Sequence, residues 1–253
     1  MLSNSNRNTI NSRRGGLEGL DKIFSDYSFT NMWSSENLDI SGTNTTLLDY
    51  SGEHDLVNPA AANQPTFNAS DVAFDGKPSL TYDGTTDYNY KAVSNWRSGD
   101  SSGVMIGVYK TITGTFNIFL MTGDESSNNY VAFNQLQVNS FRFTQKSVTS
   151  NTFNGTSNIN DGAGHVTAYA STGSVYKGIV DGVDEVLTTL SGTDNGDWMD
   201  NSPTQRDNIV IGGYITSATA FANIDWVMSG YLPYVSVANI IALQNELKTY
   251  YGI

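Results

Sequence analysis

The sequence contains no cysteine, which excludes disulfide bonds, thiol catalysis and cysteine metal sites. Positive charge is also scarce, because 13 lysines and arginines stand against 25 acidic residues and leave a formal net charge of -12. An acidic surface repels phosphate backbones, so we expect no nucleic-acid partner. Only 15% of the residues are charged, and the helix formers Lys, Glu and Arg are correspondingly few.

Long apolar runs are absent as well. No stretch approaches the roughly 20 apolar residues that a membrane-spanning helix needs. Residues 1–16 are polar and include Arg7, Arg13 and Arg14, but they lack the apolar core of a secretory signal. We therefore expect no membrane partner and no export by the usual N-terminal route.

Catalytic motifs are missing too. Glycoside hydrolysis needs two carboxylates that face the scissile bond, yet no Glu lies two residues from an Asp within an apolar strand. The two histidines, His54 and His165, show no metal-binding spacing. Neither a G-x-S-x-G elbow nor a phosphate-binding loop occurs. The sequence therefore does not predict an enzyme.

The abundant residues favour strands. The chain has 14 Tyr, 11 Phe and 24 Gly, and aromatic residues fit half-buried pleated surfaces while Gly, Asn and Asp supply turns. Short strand patterns alternate with turn signals such as Asn154-Gly155 and Asp181-Gly182, which predicts an all-β, antiparallel β-sandwich. The clearest predicted strands are Val104–Ile112, Phe116–Met121, Tyr130–Phe133, Ser140–Thr144, Val166–Ala170, Val175–Val180, Ile209–Ile211 and Ile224–Met228.

A short helix is predicted near each end of the chain. The apolar residues of Leu17–Tyr27 fall on one helical face, which suits either docking on the chain's own domain or an anchor for a partner. At the other end, Ser236 is the expected N-cap of the closing helix and Gly252 lies just past its end. We therefore divide the chain into an N-terminal arm, residues 1–30, and one domain, residues 31–253.

Several motifs follow one another in order between residues 33 and 253. They are Asp49-Tyr50-Ser51-Gly52, Gln64-Pro65-Thr66-Phe67, Leu80 through Tyr88, Val180-Asp181-Gly182, Ile211-Gly212-Gly213 and the closing segment from Gly230 to Ile253. In this order they resemble the concanavalin A-like (laminin G-like) lectin and glucanase domains found in phage structural proteins and bacterial surface proteins. The resemblance implies a concanavalin A-like jelly roll with a short C-terminal helix. The chain departs from the family pattern at Gln64, where Arg is common, and at Asn239, where the helix usually has Glu.

Acidic residues concentrate in the segment 194–201, DNGDWMDN. Asp194, Asp197 and Asp200 are candidate calcium ligands, although their spacing is not that of an EF-hand. The alternative is that they make ordinary Asx-turns. Laminin G-like domains often hold calcium at a loop rim, so the resemblance adds a little to the calcium interpretation; ordinary Asx-turns are the favoured one, and calcium is the one candidate cofactor.

Sugar binding calls for aromatic rings beside polar side chains. The candidates for glycan contact are Trp96, Trp198, Tyr88, Tyr90 and Tyr130, each of which lies near Asn or Asp. Packing in the core or at its rim is the alternative for these rings. Trp33 and Trp226 stand in apolar surroundings and are expected in the core.

Two functions compete at this point. The first is a phage virion structural protein, a capsid decoration, head fibre or tail-associated subunit that is assembled in the host cytoplasm. Its arm would bind capsid or other virion proteins, and its domain would project toward host glycans. The expected anchoring residues are Arg7, Arg13, Arg14, Leu17, Leu20 and Phe24. The alternative is a carbohydrate-binding module of a bacterial surface or secreted protein. Without heptad repeats, the sequence leaves a homo-oligomer open.

Overall fold

Two antiparallel sheets packed face to face account for most of the computed structural model, which describes residues 19–112, 116–124, 129–136, 140–146, 150–201, 206–214 and 220–253. The strands, in chain order, are β1 Asn31–Ser34, β2 Leu38–Ser41, β3 Asn44–Leu47, β4 Leu56–Val57, β5 Thr66–Asp71, β6 Lys77–Asp83, β7 Asn89–Ala92, β8 Gly103–Thr111, β9 Phe116–Gly123, β10 Tyr130–Leu136, β11 Ser140–Lys146, β12 Ser150–Asn158, β13 Gly164–Ser171, β14 Tyr176–Val180, β15 Val183–Asp184, β16 Thr188–Ser191, β17 Asn208–Ile211, β18 Gly213–Tyr214, β19 Ala220–Phe221 and β20 Asn223–Leu232. The α-helices are α1 Leu20–Asp26 and α2 Val237–Tyr251, and short 3-10 turns cover Ala61–Asn63 and Val72–Phe74.

The described strands form one sheet of eight and one of ten. The eight-stranded sheet has the order β15-β14-β13-β8-β20-β6-β5, and β1 pairs with β20 beside this path. The ten-stranded sheet has the order β16-β12-β11-β10-β9-β17-β7-β4-β3-β2, and β18 and β19 make a separate small hairpin. This arrangement confirms the predicted all-β antiparallel sandwich, and each predicted strand overlaps an observed one.

The space between the two sheets is filled largely by aromatic rings. Tyr109 stacks on Phe119 with ring centroids 3.6 Å apart, and Phe143 stacks on Tyr169 at the same distance. Both Trp33 and Trp226 are fully buried there, as predicted. Burying a large apolar side chain stabilises a fold by roughly 2 kcal/mol, so this layer contributes strongly to stability.

One predicted turn is wrong. Asn154-Gly155 lies inside β12 and does not end it. A Cβ atom at Gly155 would come within 2.0 Å of the Phe141 ring on the neighbouring strand. The glycine is therefore explained by the close approach of Phe141 and not by a turn. Asp181-Gly182, in contrast, does form a tight turn, with φ values of 52° and 86°.

The closing helix α2 has the predicted ends. The Ser236 hydroxyl accepts a hydrogen bond from the Asn239 backbone N–H at 3.3 Å, and Gly252 ends the helix in the left-handed conformation with φ 68°. The helix lies on the outer face of the eight-stranded sheet, where Leu243 and Leu247 are fully buried. In the described part of the chain, neither helix has the length and hydrophobicity to cross a bilayer.

Helix α1 packs on the same outer face as α2. Leu20 and Ile23 are buried against the domain, and Phe24 lies 6.3 Å from Phe29 and 5.8 Å from Tyr50, measured between ring centroids. Leu20 and Phe24 thus make contacts within their own chain, and an anchoring role for them stays a prediction. The other expected anchoring residues, Arg7, Arg13, Arg14 and Leu17, lie outside the described residues.

A histidine between two carboxylates helps to join α2 to the sheet. His165 Nδ1 lies 2.8 Å from Asp181 Oδ2, and His165 Nε2 lies 2.9 Å from Asp161 Oδ1. Burial lowers the pKa of His165, but the hydrogen bonds to Asp181 and Asp161 outweigh it and the net shift is upward. Asp181 begins the turn whose next residue, Gly182, donates its N–H to Gln244 of α2 at 2.7 Å.

Candidate functional site

The outer face of the ten-stranded sheet carries a small apolar cluster of its own. Ile118 and Met121 on β9, Ala132 on β10 and Val210 on β17 are completely buried, although they belong to neither the core between the sheets nor the layer under the helices. Ala132 and Val210 are both register partners of Met121. Ile118 and Met121 are three positions apart on β9, and a β-bulge between them, where the register with β10 shifts by one residue, lets both point away from the core.

Four partly buried tyrosines pack against this cluster, and we call them the tyrosine face: Tyr88, Tyr90, Tyr130 and Tyr214. Tyr90 is the register partner of Val210. Tyr214 belongs to the β18–β19 hairpin, which packs across β9. The rings of Tyr130 and Tyr214 meet edge to face at 4.9 Å, and Tyr88 lies 5.8 Å from Phe221 of the same hairpin.

The tyrosines offer uncharged polar groups. Burial, and then the contact with Tyr214, raises the pKa of the Tyr130 hydroxyl well above its ordinary value. The hydroxyls of Tyr130 and Tyr214 are hydrogen bonded to each other. The Tyr130 hydroxyl therefore stays protonated at physiological pH, and the pair of rings presents aromatic surface together with hydroxyl groups.

A positive charge lies beside the tyrosine face. Arg142 on β11 donates its Nε–H to Asn154 Oδ1 at 2.8 Å, and no carboxylate among the described residues pairs with it. Burial lowers the pKa of Arg142, but an arginine keeps its charge at neutral pH. Lys146, four residues farther along β11, holds its Nζ 5.9 Å from the centre of the Tyr130 ring.

This combination suits a sugar that carries an acidic group. Aromatic surface can pack against the apolar side of a sugar ring, and hydroxyl groups can bond to its hydroxyls. A guanidinium binds carboxylates through two parallel N–H groups. Arg142 uses its Nε for Asn154, which fixes the side chain without engaging the terminal nitrogens in an ion pair with any described residue.

A coupled pair of carboxylates lies next to Tyr88. Asp83 accepts hydrogen bonds from the backbone N–H groups of Thr85, Thr86 and Asp87, which lower its pKa in spite of burial. Burial, and then the charge of Asp83, raises the pKa of Asp87 to about 6. The turn that leads into the tyrosine face therefore titrates close to neutral pH.

Two predicted glycan contacts, Trp96 and Trp198, lie in the core. They are 3% and 0% exposed, so neither ring can stack on a sugar in this fold. Trp96 donates its Nε1–H to Asn31 Oδ1 at 3.2 Å, and Trp198 donates to the Tyr231 hydroxyl at 3.1 Å. These internal partners satisfy their polar atoms, which is the usual condition for burying a tryptophan.

The three candidate calcium ligands do not converge. Within the described residues, no group of three or more acidic or histidine side chains is arranged to hold a metal ion. Asp194 accepts from the Tyr176 backbone N–H at 2.7 Å, and Asp197 accepts from the Asn195 side chain at 2.7 Å. Asp200 donates its backbone N–H to Asp100 O at 3.0 Å. Calcium binding by this loop stays a prediction.

The predicted residues Tyr88, Tyr90 and Tyr130 are brought together by the fold, whereas sequence reasoning did not single out Arg142 or Tyr214. The alternation of β11 contains the signal for Arg142, because the buried Phe141 and Phe143 flank it and place it on the opposite face. Nothing comparable marks Tyr214, which reaches the face only through its hairpin.

No protein-family model matches the chain, and the search of curated proteins gives no match either. Among solved structures, the chain is similar to Ruminococcus gnavus IT-sialidase CBM40 bound to α2,3-sialyllactose, with TM-score 0.54 and 12% identity over 66% of this chain and 96% of that one. It is also similar to Trypanosoma rangeli sialidase, with TM-score 0.60 and 11% identity over 87% of this chain. It spans only 33% of that sialidase. At these identities the likeness concerns the fold: an antiparallel lectin-like β-sandwich, of the kind found in a carbohydrate-binding module and in sialidases.

Proposed function

We propose that this domain is a carbohydrate-binding module that holds a glycan on the tyrosine face. The observation that carries the proposal is the group of four partly buried tyrosines on a sheet face that no helix covers in the described part of the chain. The fold likeness supports it, because the similar CBM40 of Ruminococcus gnavus is bound to sialyllactose. The carbohydrate-binding alternative drawn from the sequence is thus better supported than the virion reading.

We propose further that Arg142 binds an acidic group of the glycan. The chain has a net charge of -12 and repels anions at long range, so a local cation is needed to hold an anionic sugar. Arg142 lies on the correct face, is held by Asn154 and lacks a carboxylate partner among the described residues. A carboxylate-bearing glycan such as a sialylated oligosaccharide would supply that partner.

The proposal is for binding and not for hydrolysis, since the sequence lacks a carboxylate pair on one apolar strand. A role as a phage virion structural protein, with capsid or other virion partners, has no support among these observations and stays a prediction. It remains compatible with glycan binding, because a virion protein can also contact host glycans.

The test is binding of the full chain to a glycan array, followed by calorimetric titration with α2,3-sialyllactose and with lactose. We expect the double substitution Tyr130→Ala and Tyr214→Ala to weaken binding at least tenfold, about 1.4 kcal/mol, because it removes the aromatic surface. Tyr234→Ala is the matched control, since Tyr234 is also partly buried but packs with the helix layer on the other side of the sandwich.

Circular dichroism and thermal unfolding must show that each variant is folded. A folded wild-type chain that binds no glycan on the array would contradict the proposal. Equal loss of affinity in the Tyr234 variant and the double variant would also contradict it, because the effect would then not come from the tyrosine face.

A further inference from the structure

The sequence contains two Asn-Gly dipeptides, Asn154-Gly155 and Asn195-Gly196. This dipeptide is chemically labile, because glycine has no side chain to hinder attack by its own backbone nitrogen on the preceding asparagine side chain. The attack can occur only where the backbone lets the two groups meet. The fold places the two dipeptides in opposite surroundings, and this difference decides which of them can react.

Asn154 is held in an extended strand. Inside β12 it pairs with Arg142 of β11 on one side and with Thr188 of β16 on the other. In a strand the side chain stands roughly perpendicular to the sheet and away from the following peptide. The Asn154 amide oxygen also accepts the Arg142 Nε–H at 2.8 Å, which fixes it in that direction. The Asn154 side chain is therefore kept away from the Gly155 nitrogen.

Asn195 lies in an exposed bend between β16 and β17. Its Oδ1 accepts a hydrogen bond from the Asp197 backbone N–H at 3.2 Å, which makes an Asx-turn. This bond folds the side chain back over the intervening peptide, so that Cγ of Asn195 lies close to the Gly196 nitrogen that must attack it. Among the described residues, none accepts a hydrogen bond from the Gly196 N–H. No backbone pairing therefore holds this nitrogen away from the amide.

The groups around the Asn195 amide suit the reaction. A second donor, Asn151 Nδ2, lies 3.4 Å from Oδ1, and two N–H donors stabilise the negative charge that develops on this oxygen during attack. The amide nitrogen that must leave donates to Asp197 Oδ2 at 2.7 Å. Gly196 has a φ of 68°, and a Cβ atom there would come within 2.3 Å of the Ser174 nitrogen. The packing of this loop therefore requires the glycine that makes the dipeptide reactive.

We infer that Asn195 is a site of spontaneous deamidation in the folded protein and that Asn154 is not. The Gly196 nitrogen forms a bond to Cγ of Asn195, and the Cγ–Nδ2 bond breaks. The proton of the Gly196 nitrogen passes through solvent to Nδ2, which leaves as ammonia. Water, the only co-reactant, then opens the resulting succinimide to aspartate or isoaspartate.

The product differs from the native loop in charge and in hydrogen bonding. A carboxylate replaces the donor to Asp197 Oδ2, so two carboxylates face each other, and one further negative charge takes the net charge from -12 to -13. The same loop is held to β14 by Asp194, which accepts the Tyr176 backbone N–H at 2.7 Å. We therefore expect deamidation to loosen this loop from the sandwich.

The test is mass spectrometry of the full chain during incubation in mildly alkaline buffer. Trypsin cuts on both sides of each dipeptide and separates the two asparagines into the peptides 147–177 and 178–206. We expect the mass change of an amide converted to an acid to accumulate at Asn195 about tenfold faster than at Asn154. Fragmentation of each peptide identifies the asparagine that has reacted.

The chain unfolded in guanidinium chloride is the control for sequence effects, because both dipeptides are then equally accessible and we expect similar rates. Asn195→Gln is the matched variant, since its longer side chain keeps the amide but slows ring closure, and its 178–206 peptide should stay unchanged. Asn195→Asp carries the charge of the product and should show faster hydrogen exchange over residues 192–197 than Asn195→Gln.

Equal rates at the two asparagines in the folded chain would overturn the inference. An Asn195 that is stable in the folded chain and reactive only after unfolding would overturn it as well. The same tenfold preference in guanidinium chloride would show that the preference does not come from the fold. None of these results depends on glycan binding.

Discussion

The two outer faces of the sandwich differ in what covers them. On the eight-stranded sheet, α1 and α2 seal the surface, and side chains such as Leu243, Leu247 and Tyr251 are completely buried. On the ten-stranded sheet, the described residues supply only four tyrosines and a two-stranded hairpin as cover. An aromatic ring under a helix serves stability, while a partly buried ring on an open sheet face is available to a ligand.

Their polar groups differ in the same way. Under α2, Gln244 donates its Nε2–H to Ile179 O at 2.9 Å and accepts from the Gly182 N–H at 2.7 Å, so both ends of its amide are hydrogen bonded within the chain. On the tyrosine face, the Arg142 charge has no carboxylate partner among the described residues. An unpaired charge at a partly buried position is typical of a binding face.

The largest expected effect is a loss of stability on the outer face of the eight-stranded sheet, which α1 and α2 cover and which we call the covered face; the outer face of the ten-stranded sheet is the open face. Leu247→Ala in α2 should lower the free energy of unfolding by about 3 kcal/mol, because it leaves a cavity beneath the helix. Urea denaturation followed by fluorescence measures this loss. Tyr130→Ala on the open face should cost less than half as much, and equal losses would refute the difference between the two faces.

A smaller effect is expected on sugar binding at the tyrosine face. Arg142→Gln should weaken binding of α2,3-sialyllactose about tenfold, or about 1.4 kcal/mol, and leave lactose binding nearly unchanged. The free energy of unfolding should change little, because the guanidinium has no ion-pair partner to lose among the described residues. Titration calorimetry with both sugars checks this, with Arg97→Gln as a control away from the tyrosine face.

The pH dependence of the covered face follows from His165. Its pKa is raised in the fold, so its stabilisation is fully present below about pH 6.5 and is lost as the pH rises through the folded-state pKa. We therefore expect the free energy of unfolding to fall on the alkaline side of that range. His165→Gln should remove this slope in urea titrations at a series of pH values, and an unchanged slope would contradict it.

The open face should show a smaller pH effect, from Asp87. The pKa of Asp87 is raised to about 6, so the fold loses stability as the pH rises from about 4, where the unfolded chain ionises, to about 6, and the loss is complete above that value. Asp87→Asn should therefore stabilise the protein at pH 7.5 by roughly 0.5–1 kcal/mol after solvent screening, and the gain should shrink toward pH 4. Thermal unfolding of both proteins at the two pH values measures it. A gain independent of pH would exclude the titration of Asp87 as its cause.

Particular residues show how far the sequence can be interpreted. Ser236 and Gly252 predict the two ends of α2 correctly, because helix capping is local chemistry between residues a few positions apart. Asn154-Gly155 is wrongly predicted as a turn, because Gly155 is required by the close approach of the Phe141 ring on the neighbouring strand. Trp96 and Trp198 are wrongly predicted as glycan contacts, since Asn and Asp residues nearby in the sequence do not show whether a ring is buried.

By itself the sequence determined the all-β class, the positions of the predicted strands and the closing helix, because these depend on side-chain alternation, turn residues and caps. Only the tertiary structure decided which aromatic residues are exposed. The tyrosine face joins Tyr88 and Tyr90 at the start of β7 with Tyr130 of β10 and Tyr214 of the hairpin, and Arg142 comes from a fourth segment, β11. Strand order in a sheet is set by long-range pairing and packing, and no local pattern encodes which distant residues become neighbours.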